Sequence, residues 1–433
     1  MLVAILGCGW SGLLASIRIK TLYPTADVVC IDKDFRGGLL GSEVVNGYLF
    51  DIGGSHVVFS RKREIIEGIT MGGDWVARER KAYVLFNNTF IPYPFENGIY
   101  VLPPEDRVRY GLSLIKALMN YQDEKPANFK EWIIKTFGEE VARDYLIPYN
   151  EKIWKRPLDE ISADWVYIPG RLPLPSLEDI VKSIAGIPTI GYKEQAVFYY
   201  PRRGGIIKQW KYKRNYAEPL GIRFLKMKVG EVKSSSNGYV INGILKADKI
   251  ISTLPLKEVP FIFDLSDEAR KASERLDYNS VVVVGLGLKK QAPKQHWIYV
   301  PDKRVIFHRY AWISNYGEDV SPGKAVLIAE ITIPPSWKVD LEEIKSRVVH
   351  DLIEIGILKE NEVDAVKAWF HKYGYPIYTL THREDVDIIT RELADKGIST
   401  FGRWGNWEYW NTDKIYEKSM ELIISKGKYG VQD

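Results

Sequence analysis

The first 32 residues contain the feature that constrains the fold of this chain most strongly. Residues 2–6 form a continuous apolar run, which is typical of a buried parallel strand. A glycine turn follows and leads into an apolar-periodic stretch from residue 10 to about residue 22, which predicts a helix. A second apolar run at 28–31 ends at Asp32. Strand, glycine turn, helix and strand in this order predict a Rossmann-type unit at the start of the sequence.

The glycine turn reads Gly7-Cys-Gly-Trp-Ser-Gly12, a G-x-G-x-x-G motif. In such a turn the first glycine permits the tight bend, the second lets a pyrophosphate approach the backbone, and the third lets helix and strand pack closely. Asp32 lies twenty residues after Gly12, where a carboxylate accepts hydrogen bonds from ribose hydroxyls. The pattern predicts a bound dinucleotide. The alternative is a glycine turn needed only for packing.

Four further segments favour FAD as that dinucleotide. Residues 36–41 and 50–54 are glycine-rich, and glycines there let the backbone run close to a second, larger part of the cofactor. Residues 250–255 resemble the strand-end segment that covers the ADP moiety in large FAD-dependent oxidases. Residues 402–405, Gly-Arg-Trp-Gly, match a late helix N-terminus that returns to the pyrophosphate. Their order along the chain predicts FAD.

Composition excludes several other classes of function. A net charge of +4, from 60 basic and 56 acidic residues, argues against a dedicated nucleic-acid binder. The two cysteines, Cys8 and Cys30, form no metal or disulfide pattern, so we expect a cytoplasmic protein. The six histidines show no paired ligand spacing, and we predict no metal. The longest apolar run, around 281–288, is too short for a transmembrane segment.

The chain is predicted to be α/β, with a discontinuous Rossmann-type FAD-binding domain that two other domains interrupt. The FAD-binding domain is expected at 1–75, 195–265 and 391–433. A mainly helical domain with a mobile loop is expected at 76–194, where helical patterns alternate with proline-rich connections. An antiparallel β-sheet domain for the substrate is expected at 266–390, where strand signals dominate.

Beyond the nucleotide motif, a series of segments follows the order of a known family. These are residues 50–60, 91–97 (Ile-Pro-Tyr-Pro-Phe-Glu-Asn), 148–154 (Pro-Tyr-Asn-Glu-Lys-Ile-Trp), 200–205, 297–299, 314–316, 373–376 and 402–413, together with Arg309. On these residues, over almost the whole chain, the sequence resembles UDP-galactopyranose mutase, more its eukaryotic branch than its bacterial one. That family lies within the superfamily of protoporphyrinogen-oxidase-like and amine-oxidase-like flavoproteins.

The resemblance implies an isomerase that interconverts UDP-galactopyranose and UDP-galactofuranose without net redox change. FAD is active when reduced, its N5 bonds to the sugar while UDP leaves, and NADPH or NADH is the reductant expected in principle. A nucleotide sugar of the UDP-galactose class is therefore the expected partner, and the sequence is compatible with a homo-oligomer. The segment 147–155 resembles the family's mobile loop and is expected to close on the substrate.

The resemblance and the motifs together assign roles to individual residues. Arg309 and Arg403 are predicted to clamp the departing diphosphate, because the guanidinium fork binds phosphate oxygens in pairs. His56 is predicted beside the flavin edge; the alternative is a buried histidine satisfied by backbone. The predicted cofactor-binding residues are Gly7, Gly9, Trp10, Ser11, Gly12, Asp32, Lys33, Gly38, Leu39, Gly54, Ser55, His56, Val229, Thr253, Gly402, Arg403, Asn411 and Asp413. The predicted substrate-binding residues are Tyr93, Phe95, Tyr149, Trp154, Trp297, Tyr299, Arg309, Tyr316, Tyr375 and Tyr409.

Two residues depart from the family pattern. Ile147 stands where the eukaryotic enzymes are expected to have an arginine, and Glu96 stands where a glutamine is expected. A carboxylate near a nucleotide base can change which base is favoured, so the identities of base and sugar stay open.

Two other functions compete with the mutase hypothesis. One is a flavin oxidoreductase of the protoporphyrinogen-oxidase or amine-oxidase type, which removes hydride from an apolar substrate. The other is a flavin-binding module without turnover. The predicted arginine–tyrosine set discriminates between the two enzymes, since a diphosphate requires it and an apolar substrate does not.

Overall fold

The computed structural model describes residues 1–120, 125–167, 176–189, 196–319 and 323–423. Its first layer is a five-stranded parallel sheet in the order β19-β13-β1-β2-β9. These strands are β1 (Leu2–Leu6), β2 (Asp27–Asp32), β9 (Arg223–Lys226), β13 (Lys249–Ser252) and β19 (Ile398–Thr400). Strands from three distant parts of the sequence therefore build one sheet. The predicted α/β class with a discontinuous Rossmann-type sheet is confirmed.

A second sheet has seven strands in the order β18-β14-β17-β16-β15-β6-β7 and is antiparallel except between β15 and β6. Its strands are β6 (Ala82–Phe86), β7 (Thr89–Pro92), β14 (Asp277–Leu288), β15 (Trp297–Tyr299), β16 (Arg309–Trp312), β17 (Ala325–Ile333) and β18 (Val363–Ile377). The smaller sheets pair β3 (Ser42–Val45) with β4 (Tyr48–Asp51), β5 (Trp75–Glu79) with β8 (Val197–Pro201), and β10 (Val232–Ser235), β11 (Gly238–Ile241) and β12 (Leu245–Ala247) with one another.

Strands β6 and β7 lie within the segment that was predicted to be a helical domain. Asn87 and Asn88 connect them with positive φ angles of 47° and 60°, as in the two-residue turns that favour β-hairpins. The hairpin adds to the edge of the seven-stranded sheet through the pairing of β6 with β15. Residues 82–92 therefore extend the sheet that was expected only from residue 266 onwards.

Helices cover both sheets and form a third region. They are α1 (Trp10–Leu22), α2 (Arg63–Thr70), α3 (Phe95–Gly98), α4 (Pro104–Met119), α5 (Phe129–Val141), α6 (Ile147–Trp154), α7 (Leu177–Ile184), α8 (Ile207–Ala217), α9 (Val259–Ile262), α10 (Asp267–Arg275), α11 (Leu341–Glu354), α12 (His382–Asp395), α13 (Gly402–Gly405) and α14 (Thr412–Glu421). A π-helical turn, Ala142–Leu146, joins α5 to α6. Among the residues described, no helix combines the length and the apolar character that a membrane span requires.

Side-chain alternation in the seven-stranded sheet decides which residues face the cleft. In β17 the side chains of Leu327, Ala329 and Ile331 pack in the cluster that contains Val348 and Leu352 of α11. The residues between them point to the opposite face, because successive side chains of a strand alternate. Glu330 is one of these and lines the cleft between the two sheets.

Candidate functional site

The turn after β1 has the geometry that the glycine motif requires. Gly7 has a φ of +87°, and a Cβ on Gly12 would lie 1.8 Å from the carbonyl oxygen of Gly7, so both positions exclude larger residues. A Cβ on Gly9 would meet nothing within 4 Å, because Gly9 faces the open cleft. The backbone thus leaves room at the position where a pyrophosphate approaches in dinucleotide-binding turns.

The N-terminus of α1 is also suited to binding an anion. Gly9 caps the helix without a side-chain hydrogen bond, and the first turn contains no acidic residue. Free N–H groups and the positive end of the helix dipole therefore face the cleft. Asp32 lines the cleft at the end of β2, where its Oδ2 accepts a 2.6 Å hydrogen bond from the N–H of Cys8. This arrangement fits the ADP half of FAD.

One cleft of about 510 Å³ extends from this turn to the seven-stranded sheet. It brings together most of the predicted residues. From the cofactor set these are Gly7, Gly9, Trp10, Ser11, Asp32, Gly38, Leu39, Ser55, His56, Thr253, Arg403 and Asn411. From the substrate set they are Tyr93, Tyr149, Trp154, Trp297, Tyr299, Arg309, Tyr375 and Tyr409. The segment predicted as a mobile loop forms α6 here and contributes Tyr149 and Trp154, whereas Ile147 packs against the core.

Eight predicted residues do not line the cleft. Phe95 is buried in the core and stacks on Tyr145 with ring centroids 4.7 Å apart, so its predicted contact with substrate is corrected. Tyr316 is also fully buried, and its hydroxyl lies 2.6 Å from Oγ of Ser55, so it supports the cleft wall rather than the ligand. The other six are Gly12, Lys33, Gly54, Val229, Gly402 and Asp413.

Two of these glycines have packing roles instead. A Cβ on Gly54 would lie 2.9 Å from the Glu330 carboxylate, and a Cβ on Gly402 would lie 2.2 Å from Oγ of Ser11. Both glycines let a cleft residue approach the backbone closely. Sequence motifs identify such positions without distinguishing contact with a ligand from contact with the protein.

His56 lies in the cleft wall after Gly54, where its Nδ1 is 3.1 Å from the carbonyl oxygen of Gly54. Burial lowers the pKa of His56 from 6.5 to about 4, although the nearby Glu330 carboxylate opposes this shift. The imidazole is therefore neutral at pH 7. The ring lines the cleft and contacts the backbone, and its place beside the flavin edge stays a prediction.

Arg309, which was predicted to clamp the diphosphate, is paired with a carboxylate. It lies directly opposite Glu330 in the pairing of β16 with β17. Its Nε donates to Oε1 at 2.8 Å and its Nη2 donates to Oε2 at 2.7 Å. Burial alone would raise the pKa of Glu330, but the charge and hydrogen bonds of Arg309 outweigh it and hold that pKa at about 2. The two side chains form a neutral, bidentate pair.

Glu330 also orders its surroundings. Its Oε1 accepts from the N–H of Ser55 at 3.0 Å, and its Oε2 accepts from the hydroxyl of Tyr375 at 3.2 Å. The residue thus connects the segment before His56, the arginine and a cleft tyrosine. Glu330 was not among the residues predicted from the sequence. Its signal was a single charge in the otherwise apolar run Ala325–Ile333, which is rare unless the charge is paired.

Arg403 is held in position by backbone. Its Nη2 donates to the carbonyl oxygen of Gly374 at 2.7 Å, and its Nη1 donates to that of Trp410 at 3.2 Å. The guanidinium lies 4.5 Å from the ring centroid of Tyr409, a distance suited to a cation–π interaction. Carbonyl oxygens carry no net charge, so these two hydrogen bonds do not neutralise the guanidinium.

A third arginine, Arg80, lines the cleft and was missed. Its guanidinium lies 4.4 Å from the ring centroid of Tyr93 and 4.7 Å from that of Trp297, and its Nη2 donates to the hydroxyl of Tyr299 at 3.2 Å. In the sequence it belongs to the run Arg-Glu-Arg-Lys at 78–81, which looks like a solvated charged face. Only the folding of β15 against β6 reveals its aromatic neighbours.

Apart from Asp32, the ionised side chains that line the cleft have a net positive charge. Of the other described residues that line the cleft, three are arginines and one is the ionised Glu330. His56 and His308 are neutral because burial lowers the pKa of both, and Glu96 is neutral at pH 7 because burial raises its pKa to about 8. Among these lining residues the positive charges therefore exceed the negative ones by two. An anion with two negative charges is the ligand that this field favours.

Comparison with known proteins relates this site to flavoenzymes. Residues 217–410 match the family model described as flavin containing amine oxidoreductase. Among solved structures, a reduced UDP-galactopyranose mutase is similar with a TM-score of 0.87 and 25% identity, over 97% of this chain and 92% of that one. A putative protoporphyrinogen oxidase from Exiguobacterium sp. has a TM-score of 0.72 and 16% identity, over 97% and 99%. A putrescine oxidase has a TM-score of 0.63 and 14% identity, over 97% of each chain.

The last two similarities concern the fold alone, whereas the family model and the mutase imply FAD, which the glycine turn and Asp32 fit. A flavin-dependent enzyme is thereby supported. The chain has the fold shared by FAD-dependent oxidoreductases and UDP-galactopyranose mutase, and within it residues 217–410 are similar to the flavin containing amine oxidoreductase family.

Proposed function

We propose that this protein is a flavin-dependent nucleotide-sugar mutase that interconverts UDP-galactopyranose and UDP-galactofuranose. The observation that carries the proposal is the net positive charge of the cleft-lining residues other than Asp32. Among these residues that the structure describes, the arginines Arg80, Arg309 and Arg403 outnumber the one ionised carboxylate, Glu330, by two. This net charge favours a dianionic ligand. The diphosphate of a nucleotide sugar carries two negative charges. The similarity to the reduced mutase supports the same reaction class.

Reduced FAD would supply the nucleophile for this reaction. The protein residues have a different task, because the diphosphate gains a third negative charge when it leaves the sugar. Arg403 and Arg80 keep their charges at fixed positions against aromatic rings, so they require no reorganisation as that charge develops. The cations therefore stabilise the departing diphosphate more than the intact substrate, which is the condition for a higher rate.

The remaining cleft residues limit the access of water and add no further charge. Tyr149, Trp154 and Tyr409 form an aromatic wall in which both Trp154–Tyr409 and Trp154–Tyr375 are edge-to-face contacts. Such a wall lowers the local dielectric and strengthens the interaction of the arginines with phosphate. His56 is neutral at pH 7, so it adds no charge that would attract the diphosphate away from the arginines.

The oxidoreductase alternative has one observation in its favour, the match of residues 217–410 to the amine oxidoreductase family model. Its typical amine substrate is a cation at neutral pH. The excess of arginines over ionised carboxylates among the lining residues would repel such a substrate, and an apolar one would gain nothing from it. We therefore favour the mutase.

The test is to incubate dithionite-reduced protein with UDP-galactofuranose without oxygen and to separate the products by chromatography. We expect UDP-galactopyranose with reduced protein and none with oxidised protein. NADPH or NADH, the proposed reductant, should bleach the flavin band and replace dithionite. A yellow protein that gives no conversion, but consumes oxygen with an amine, would establish the oxidoreductase instead.

Variants connect the activity to the charge of the cleft. Arg80→Met should lower kcat/KM by about 10- to 100-fold, the equivalent of one or two charge-assisted hydrogen bonds. Arg78→Met is the matched control, because Arg78 lies two residues away and does not line the cleft. Equal kcat/KM values for the two variants would contradict the role of Arg80.

A further inference from the structure

Asp51 is a fully buried carboxyl group at the end of β4, and it is not among the described residues that line the cleft. Its Oδ1 accepts hydrogen bonds from Oγ of Ser42 at 2.7 Å and from the N–H of Ile206 at 3.0 Å. Its Oδ2 accepts one from the hydroxyl of Tyr200 at 2.6 Å. Burial raises the pKa of Asp51 from 3.8 to about 6, although these donors oppose the shift, so the group is mainly ionised at pH 7.

The carboxylate of Asp51 lies at the N-terminus of α8. The N–H of Ile206, the N-cap of that helix, donates to Asp51, and the N–H of Ile207 donates to Oγ of Ser42 at 3.1 Å. The first turn of α8 contains no acidic residue, and Ile206 makes no capping hydrogen bond with its own side chain. A carboxylate from β4 and a hydroxyl from β3 therefore satisfy the first N–H groups of a distant helix and complement its dipole.

One side of α8 contacts two segments of the predicted FAD site. Nε1 of Trp210 donates to the carbonyl oxygen of Cys8 at 2.9 Å, inside the glycine turn. A Cβ on Gly37 would lie 2.5 Å from Cδ1 of Ile207, so this cleft-lining glycine allows the helix to pack against its loop. Ile207 and Trp210 are three residues apart and lie on the same side of the helix. The position of α8 therefore affects both segments.

Asp51 also holds the segment that follows it in sequence. Gly53, two residues later, lines the cleft, and a Cβ there would lie 2.0 Å from the carbonyl oxygen of Leu39. Tyr200, which donates to Asp51, packs edge-to-face on Tyr316 of the cleft wall with ring centroids 5.4 Å apart. The hydrogen bonds of Asp51 thus connect several segments of the cleft that are far apart in the sequence.

We propose that Asp51 is a positioning residue for FAD. As a shared hydrogen-bond acceptor it holds the glycine turn, through α8, the loop 37–40 and the segment from Gly53 in the arrangement that binds the cofactor. An acceptor is required at this position, because an apolar side chain would leave the buried N–H of Ile206 and the hydroxyl of Tyr200 without it. The inference concerns the cofactor and is independent of the sugar substrate.

The experiment measures the dissociation constant of FAD by diluting the purified holoprotein at pH 7 and following the fluorescence of the released flavin. Asp51→Leu should raise the constant about 10- to 100-fold, the effect of one or two unpaired buried donors. Asp51→Asn keeps an oxygen that can accept from Ser42 and Ile206, so its constant should stay within about threefold of the unchanged protein. Asp319→Asn is the matched control and should leave the constant unchanged, because exposed Asp319 accepts from the N–H of Gly204, close to the same helix N-terminus.

Ser42→Ala is a second variant that leaves Asp51 in place. It removes the acceptor of the Ile207 N–H and should raise the FAD constant about 3- to 10-fold. An unchanged constant in Asp51→Leu would overturn the inference, as would an unchanged constant in Ser42→Ala if Asp51→Leu does not fold. An equal loss of affinity in Asp51→Asn and Asp51→Leu would also overturn it. A residue that only stabilises the fold would lower Tm in excess FAD without changing the FAD constant.

Discussion

Removing one member of the Arg309–Glu330 pair should destabilise the protein more than removing both. The Glu330 side chain is 2% exposed and that of Arg309 is 24% exposed, so each charge depends on the other for compensation. Breaking a buried pair by changing one partner costs about 3–5 kcal/mol, because an uncompensated charge remains. Of the hydrogen bonds that described residues donate to this carboxylate, Arg309→Met leaves those from the N–H of Ser55 and the hydroxyl of Tyr375.

The expected shift in melting temperature follows from the size of the chain. An unfolding entropy of about 2.1 cal/mol/K per residue gives about 0.9 kcal/mol/K for 433 residues. A loss of about 3–5 kcal/mol therefore lowers Tm by about 3–6 °C in Arg309→Met and in Glu330→Gln. The double variant buries no unpaired charge, and its Tm should fall by less than that of either single variant.

The assay is thermal unfolding of the holoprotein in excess FAD, followed by near-UV circular dichroism. The pH dependence of Tm provides a second test. In the unchanged protein the contribution of Glu330 is complete above pH 4.5 and is lost as pH falls towards about 2, since the folded pKa is the lower one. In Arg309→Met the carboxylate protonates more readily, so the Tm deficit should shrink on acidification. Additive losses in the double variant would refute the argument that the pair is a compensated unit.

Three further predictions concern other buried positions. Gly9→Ala should retain the Tm of the apoprotein but lose FAD, measured as flavin absorbance per protein, whereas Gly12→Ala should lower both because its Cβ would overlap the carbonyl of Gly7. The unfolding free energy should fall between pH 4.5 and about pH 8, because Glu96 keeps a proton in the folded protein that the unfolded chain releases. Denaturant titrations of Glu96→Gln should show no such fall, and an unchanged fall would contradict the prediction. Lys152 donates to the carbonyl oxygens of Val300 and Asp302, and burial lowers its pKa to about 7. The unfolding free energy should therefore rise between about pH 7 and pH 10.5, where the unfolded lysine binds a proton that the folded one has released. Lys152→Met should abolish that rise in the same titration.

Local patterns in the sequence were sufficient for the nucleotide half of the molecule. The turn Gly7–Gly12, the helix after it and Asp32 lie within one continuous segment, and the requirements of each position are set by neighbours close in sequence. Backbone sterics and the alternation of apolar residues act over a few residues, so they can be interpreted without the fold. The same reasoning predicted a β-sheet domain at 266–390 but not the hairpin at 82–92 that extends its sheet, because the pairing partner of that hairpin is more than two hundred residues away.

The charge of the cleft depended on tertiary structure. The sequence presents Arg309 as a cation and Glu330 as an isolated acid, and only the register of β16 with β17 places them opposite each other and neutralises both. Arg80 gains its role from Trp297 and Tyr93, and Glu96 gains its neutral state from burial. The sequence by itself determined which residue types were present and where the dinucleotide turn lies. The fold decided which charges remain, because electrostatic compensation and desolvation depend on distances between segments that strand pairing alone brings together.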